Sequence, residues 1–281
     1  MLTHVDRVQL VVANRREVAG AYQRLLATEV VRDDRVRSLA AHRTVLRLGR
    51  SELELLEPDG AGITADFLSQ TGGGMFAAGL ATADVAALKA HLQTSGATVS
   101  DEGGQLFLAP DDTGLRAVIS ANAHPSAIGL VTRLYEATLL VPDFRAASSQ
   151  TAARFALDPS HFVPIRSEQF GYEGTLTLFR SGQLDRIEIV TPNDPTKTMA
   201  RFFAKRGPCL YMCFAEADDL APIIARLREH AARDWTGAPD ETNSLFIHPK
   251  ALGGMMMGVS RTTVAWTWSG HPEWVQTRAA T

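Results

Sequence analysis

Two glutamates in the second half of the chain, Glu136 and Glu188, are the side chains best suited to chemistry. Each is expected to project from a strand into a cavity shared with Met212, Met256 and Phe179. Apolar surroundings raise a carboxyl pKa towards neutrality, where the group can take a proton and return it. Glu188 has a second reading as a structural ion-pair partner of Arg166 or Arg186, because a buried carboxylate needs a compensating cation. His248 is a further catalytic candidate, and Lys250 on the following turn is placed to hold an anionic group at the rim. Tyr211, Met212, Met256, Gly258, Phe179 and Arg166 complete the expected substrate-binding set. The chemistry such a set supports is general acid/base catalysis on a small molecule.

These residues depend on strands and turns for their placement. Residues 245–260 read as strand, turn, strand, with Pro249 and the pair Gly253-Gly254 breaking two apolar runs. Alternation sends Met256 and Gly258 to one face and Met255 and Met257 to the other. Upstream, a strand at 8–12 leads through the N-cap Asn14 into a helix over 15–27. Strands at 45–48 and 53–56 follow, then a polar, glycine-rich connection over 59–74. A strand at 75–81, a helix over 84–95 and a hairpin at 106–108 and 115–119 repeat the pattern. After a linker at 121–126 it restarts with a strand at 137–141, a helix over 145–156 and strands at 162–166, 175–179 and 186–190. A strand at 210–215, a helix over 219–231 and the closing hairpin make a fourth unit.

The repeat is visible in the residues themselves. Leu53-Glu54-Leu55-Leu56-Glu57-Pro58-Asp59 matches Ile187-Glu188-Ile189-Val190-Thr191-Pro192-Asn193, and Phe107-Leu108-Ala109-Pro110 matches Phe246-Ile247-His248-Pro249. Two domains are therefore expected, 1–124 and 125–281. The second carries a tail with Trp266, Trp268 and Trp274, residues suited to surface docking or a homodimer contact.

Composition narrows the partners. A chain of 281 residues exceeds the usual single-domain size, and 45% hydrophobic with 21% charged residues is ordinary for a globular protein. A net charge of −3 with mixed signs leaves no footprint for nucleic acid or an anionic membrane. No signal-like or membrane-spanning run is expected, which points to the cytoplasm and a small-molecule substrate. Cys209 and Cys213 share a strand face too far apart to bridge, which fits free thiols in a reducing compartment.

Phe246-Ile247-His248-Pro249-Lys250, followed by Gly253-Gly254 and an apolar strand, resembles the last hairpin of methylmalonyl-CoA epimerase and its relatives in the vicinal oxygen chelate superfamily. Glyoxalase I, extradiol dioxygenases and bleomycin-resistance proteins also belong there. The resemblance implies an α+β fold of four βαβββ modules forming two glyoxalase-like open barrels. It also implies where metal ligands would stand. In the first half these positions hold Arg7, Glu54, Phe76 or Ala77, and Val118; in the second, Val141-Pro142-Asp143 aligns Glu136, with Glu188, Met212 and Gly258 at the others. Arginine cannot coordinate, since it keeps its proton. No cofactor is therefore expected, a divalent metal on Glu136 and Glu188 being the remaining option.

The resemblance implies an enzyme with its site in the second barrel, a lyase or isomerase performing epimerase-like proton transfer on a small organic acid, ester or acyl thioester. The alternative is a metal-free protein of the bleomycin-resistance type that sequesters a small molecule.

Overall fold

The computed structural model describes residues 1–237 and 243–276; residues 238–242 and 277–281 of the expected second domain lie outside the described residues. The first unit runs β1 (Leu2–Val11), α1 (Arg15–Leu26), β2 (Glu29–Val36), β3 (Ala41–Leu48) and β4 (Ser51–Pro58). After a connecting helix α2 (Ile63–Thr71), the second runs β5 (Gly74–Thr82), α3 (Val85–Thr94), β6 (Val99–Glu102), β7 (Gln105–Leu108) and β8 (Ala117–Ala121). The third comprises β9 (Arg133–Leu140), α4 (Phe144–Phe155), β10 (Val163–Ser167), β11 (Tyr172–Leu178) and β12 (Arg186–Pro192). A second connecting helix, α5 (Thr198–Arg206), leads to β13 (Cys209–Ala217), α6 (Ala221–His230), β14 (Trp235–Gly237), β15 (Ser244–Ile247) and β16 (Met256–Arg261). Four βαβββ modules are the fold.

Each pair of modules makes one eight-stranded sheet of the same order: β2-β3-β4-β1-β5-β8-β7-β6, then β10-β11-β12-β9-β13-β16-β15-β14. In both, the first strand of each module lies at the centre of the sheet. There β1 pairs parallel with β4 and antiparallel with β5, as β9 does with β12 and β13. Alternation then divides each strand between two environments. Leu10, Leu53, Leu55, Leu139, Ile187 and Ile189 face the helices and join one core shared by both sheets. The opposite, concave faces form two cups.

Local chemistry fixes the helices that hold this arrangement. Asn14, Asp84 and Asp143 accept backbone N–H groups at the starts of α1, α3 and α4. The 59–74 segment is not a plain connection. It contains α2, entered from Gly62 and closed by Gly72 at φ 74°, a left-handed C-cap that glycine adopts without strain. The outer strand β2 also went unrecognised because its run of charged residues is mostly exposed and shows no apolar alternation. Residues 122–132 cross between the halves, pinned by the Gly49–Ile128 bridge and by the Leu134 amide donating to Ser51 Oγ at 2.9 Å. Among the described residues no helix is long and apolar enough to cross a membrane.

Candidate active site

The same two central strands carry charge in both cups, with the signs exchanged. In the first, Arg7 on β1 stands beside Glu52 on β4, and Gln9 beside Glu54. In the second, Glu136 on β9 stands beside Arg186 on β12, and Thr138 beside Glu188. Arg7 Nη1 donates to Glu52 at 2.9 Å, and Arg186 Nε donates to Glu136 Oε2 at 2.6 Å. At this position each cup thus sets a cross-strand ion pair beside a further buried glutamate.

That further glutamate has opposite surroundings in the two halves. Glu54 is fully buried and accepts from Arg7 Nη1 at 2.7 Å, Gln9 Nε2 at 2.7 Å, Gln105 Nε2 at 2.9 Å and Arg43 Nη1 at 3.1 Å. Burial alone would raise its pKa, but the charges of Arg7 and Arg43 and the bonds from Gln9 and Gln105 outweigh it and hold the group at about 2. By strand register, the places of Arg7, Gln9, Arg43 and Gln105 are taken in the second cup by Glu136, Thr138, Gly174 and Ser244. Glu188 therefore loses both guanidinium partners and gains a carboxyl neighbour. Thr138 Oγ1 donates to Glu188 Oε2 at 2.6 Å. Burial first, then the negative charge of Glu136, push the Glu188 carboxyl up to about 8. Tyr172 lies against it; burial first, then Glu188 and Glu136, drive the phenol well above its usual range. Opposed environments for equivalent carboxyls are a recognised way to divide structural from acid/base work.

The walls are aromatic. Phe214 on β13 stands next to Glu136 and Gly258 in register. Its ring meets Tyr135 at 6.0 Å, Phe246 at 5.8 Å and Trp268 of the tail at 6.4 Å between centroids. The tail closes one side of the cup. Trp266 is buried in a cluster with Tyr135 and Leu184, and Ser269 Oγ accepts from Arg186 Nη1 at 2.9 Å.

The expected site residues divide accordingly. Glu136, Glu188, Met212, Met256 and Gly258 lie on concave-facing positions of adjacent strands, and Met255 and Met257 on the core side. Tyr211 falls at a bulge beside Met212, its ring 5.0 Å from Phe202 of α5. Five assignments change. Phe179 joins the helix-side core, because Leu178, opposite Arg186, takes the concave position. Arg166 is paired in register with Glu173 on the outer face, and its exposed side chain meets Glu168 at 3.2 Å. Lys250 is 84% exposed and sits 3.8 Å from Asp234, in a cleft shared with α1 and α6. Gly258 leaves no room for substrate, because the Phe214 ring covers it. His248 ends β15 with its ring 3.4 Å from Thr236 Oγ1, several strands from the glutamates. The ion pair weighed for Glu188 goes to Glu136 instead.

Sequence reasoning passed over Thr138, Tyr172 and Phe214. Alternation from Glu136 and Met212 gives Thr138 and Phe214 directly. Tyr172 carries no such signal, since β11 begins three residues before the apolar run that marked it.

A Cβ at Gly258 would come within 2.1 Å of the Phe214 ring. Gly258→Ala is expected to cost roughly 1–3 kcal/mol through overpacking, with much of the loss restored in a Phe214→Leu background. Thermal unfolding of the two single variants and the double variant measures this coupling; additive effects would contradict the ring placement.

The donor set does not fit a metal ion held as family ligands would hold it. Among the described residues no three His, Cys, Asp or Glu side chains converge. Of the two carboxyls present, Glu136 is engaged by a guanidinium at 2.6 Å, and the other family positions hold Met212 and Gly258, whose side chains offer a hard cation no oxygen donor.

Tandem βαβββ modules curled into two open cups define the vicinal oxygen chelate fold, and this chain has it. A mutant of 4-hydroxymandelate synthase from Streptomyces coelicolor superposes with a TM-score of 0.71 over 92% of this chain and 92% of that one, at 15% identity. A fusion of a xylose isomerase-like TIM barrel with 4-hydroxyphenylpyruvate dioxygenase gives 0.61 over 92% of this chain and 49% of its own length, at 13% identity. Methylmalonyl-CoA epimerase from Mycobacterium tuberculosis matches 47% of this chain and 89% of its own, with 23% identity and a TM-score of 0.39. No protein-family model and no curated protein matches the sequence. The superfamily resemblance of the last hairpin extends to the fold of the whole chain, and identities this low speak for the fold alone.

Proposed function

We propose that this chain is an enzyme that moves a proton on the carbon next to a carbonyl, in a small organic acid, ester or acyl thioester, and does so without a metal. Glu188 is the group that takes and returns the proton. The observation behind this reading is an imbalance of charge: two buried carboxyls share one guanidinium in the second cup, while the equivalent carboxyl of the first cup has two. Arg186 holds Glu136 in place, and burial, then the negative charge of Glu136, raise the Glu188 pKa to about 8, the range in which a carboxyl serves as both base and acid. Thr138 holds one Glu188 oxygen through its hydroxyl.

A second reading has its own support. The aromatic wall of Phe214, Phe246, Phe170 and Trp268 suits a protein that sequesters a hydrophobic molecule. Solvent deuterium exchange into the α-carbon of a panel of keto acids, esters and acyl thioesters, followed by proton NMR, separates the two. Exchange is expected to rise with pH and level off above about 8, as Glu188 ionises, and to fall on the order of 100-fold or more in Glu188→Gln. Ligand affinity without exchange, unchanged in Glu188→Gln, would establish the sequestering role.

A further inference from the structure

Within the second cup, one buried donor has no partner. Arg186 is fully buried; its Nε donates to Glu136, and its Nη1 donates to Ser269 Oγ and to the Leu184 carbonyl at 3.2 Å. Its Nη2 meets no acceptor. Buried donors in native proteins are nearly always satisfied, so an orphan of this kind calls for a ligand or a water. The contrast within the chain is sharp: in the first cup the Nε, Nη1 and Nη2 of both Arg7 and Arg43 have carboxylate or amide acceptors. Of the buried arginines among the described residues, Arg7, Arg43 and Arg186, only Arg186 keeps a guanidinium nitrogen in reserve.

Three features say where that nitrogen points and what it would meet. In the planar guanidinium Nη2 shares an edge with Nε, so it lies on the side of Glu136. The Tyr135 ring, 5.1 Å from the guanidinium carbon, backs the group and fixes its plane. Arg186 and Glu188 are two residues apart on β12 and therefore face the same cup. We infer that Arg186 Nη2 is the electrophilic contact of this site, receiving the carbonyl oxygen of a ketone, ester or thioester while Glu188 works on the neighbouring carbon. This rests on the proton-transfer reading above.

The step balances within these groups. The Glu188 carboxylate takes the α-proton; the C–H electron pair becomes the carbon–carbon double bond, and the carbonyl π pair moves to oxygen. The Nη2 hydrogen holds that enolate oxygen, and the reverse sequence returns the proton to carbon and restores the carbonyl. A charged donor placed where negative charge develops is the usual means of lowering such a barrier.

The nitronate of nitroethane, a planar oxyanion shaped like an enolate, is the probe. It is titrated into the whole protein with nitrogen-15-labelled arginine, and into Arg186→Lys and Glu188→Gln, with acetate as the comparison anion. Arg186→Lys keeps a cation beside Glu136 and removes Nη2. The expected result is that the Arg186 side-chain resonances move on saturation, that affinity falls roughly 10–100-fold in Arg186→Lys, and that Glu188→Gln still binds. Should the lysine variant fail to fold, the resonance shift in the unmodified protein decides. Absence of binding at millimolar nitronate, an unmoved Arg186 signal, undiminished binding to Arg186→Lys, or equal affinity for acetate would each overturn the assignment. Deuterium exchange is independent of these outcomes: exchange lost in Glu188→Gln beside an unmoved Arg186 signal sinks only this inference, and no exchange in any form sinks the proton-transfer reading itself.

Discussion

Glu188→Gln is expected to make the protein more stable than its parent at alkaline pH while removing proton exchange. The sign follows from the site. Glu188 is 8% exposed, and its pKa is raised from the ordinary 4.5 to about 8 in the folded chain. Between those values the folded protein holds a proton that the unfolded chain has released. Folding stability attributable to this group is therefore fully present below 4.5 and is lost as pH rises through about 8. The slope is about 1.4 kcal/mol per pH unit, so the loss reaches on the order of 5 kcal/mol by pH 8.5. Glutamine imitates the neutral carboxyl and accepts the same Thr138 hydroxyl, so the variant has no such loss. Melting temperatures of parent and variant should converge near pH 5, separate steadily as pH rises to about 8 and stay apart above it, with the variant higher. A variant less stable than its parent at every pH would mark Glu188 as a structural ion-pair member and remove its catalytic role.

The equivalent change in the first cup has the opposite outcome. Glu54→Gln leaves Arg7 and Arg43 facing a neutral amide in a fully buried site. Breaking one partner out of a buried ionic cluster costs roughly 3–5 kcal/mol, somewhat offset here because Arg7 keeps Asp6 and Glu52 and Arg43 keeps Asp34. The Glu54 pKa is lowered to about 2, so its contribution is present above 4.5 and is lost as pH falls through about 2. Parent and variant should therefore differ most at neutral pH and approach each other in acid. Chemical denaturation at pH 7 and pH 3 checks this. Equal stability at pH 7 would show that the first cup does not depend on Glu54.

The fold was legible because its signals are local and repeated. Alternating apolar strands, the capping residue Asn14, and the duplicated Leu53–Pro58 and Ile187–Pro192 segments each act over a few residues. The candidate site was legible only as far as alternation reaches. Glu136 and Glu188 share a concave face because both strands put every second residue there. What alternation cannot supply is which strands lie side by side and how long side chains turn. Arg186 chose Glu136 over Glu188 because register sets it directly opposite Glu136. The Phe214 ring covers Gly258 because the neighbouring strand offers no Cβ to stop it. The contrast of Gly174 with Arg43, which leaves Glu188 without the second guanidinium that Glu54 has, emerges only when register superposes the two halves.

The central claim is that two equivalent glutamates have been driven apart, Glu54 into a permanent anion and Glu188 into a proton carrier near neutrality. Carbon-13 NMR of the protein labelled at glutamate side-chain carboxyls, with Glu188 assigned through Glu188→Gln, reads this directly. The carboxyl of Glu188 is expected to titrate with an inflection near 8, while that of Glu54 shows no inflection above pH 3. An inflection for Glu188 at or below the ordinary 4.5 would contradict the account.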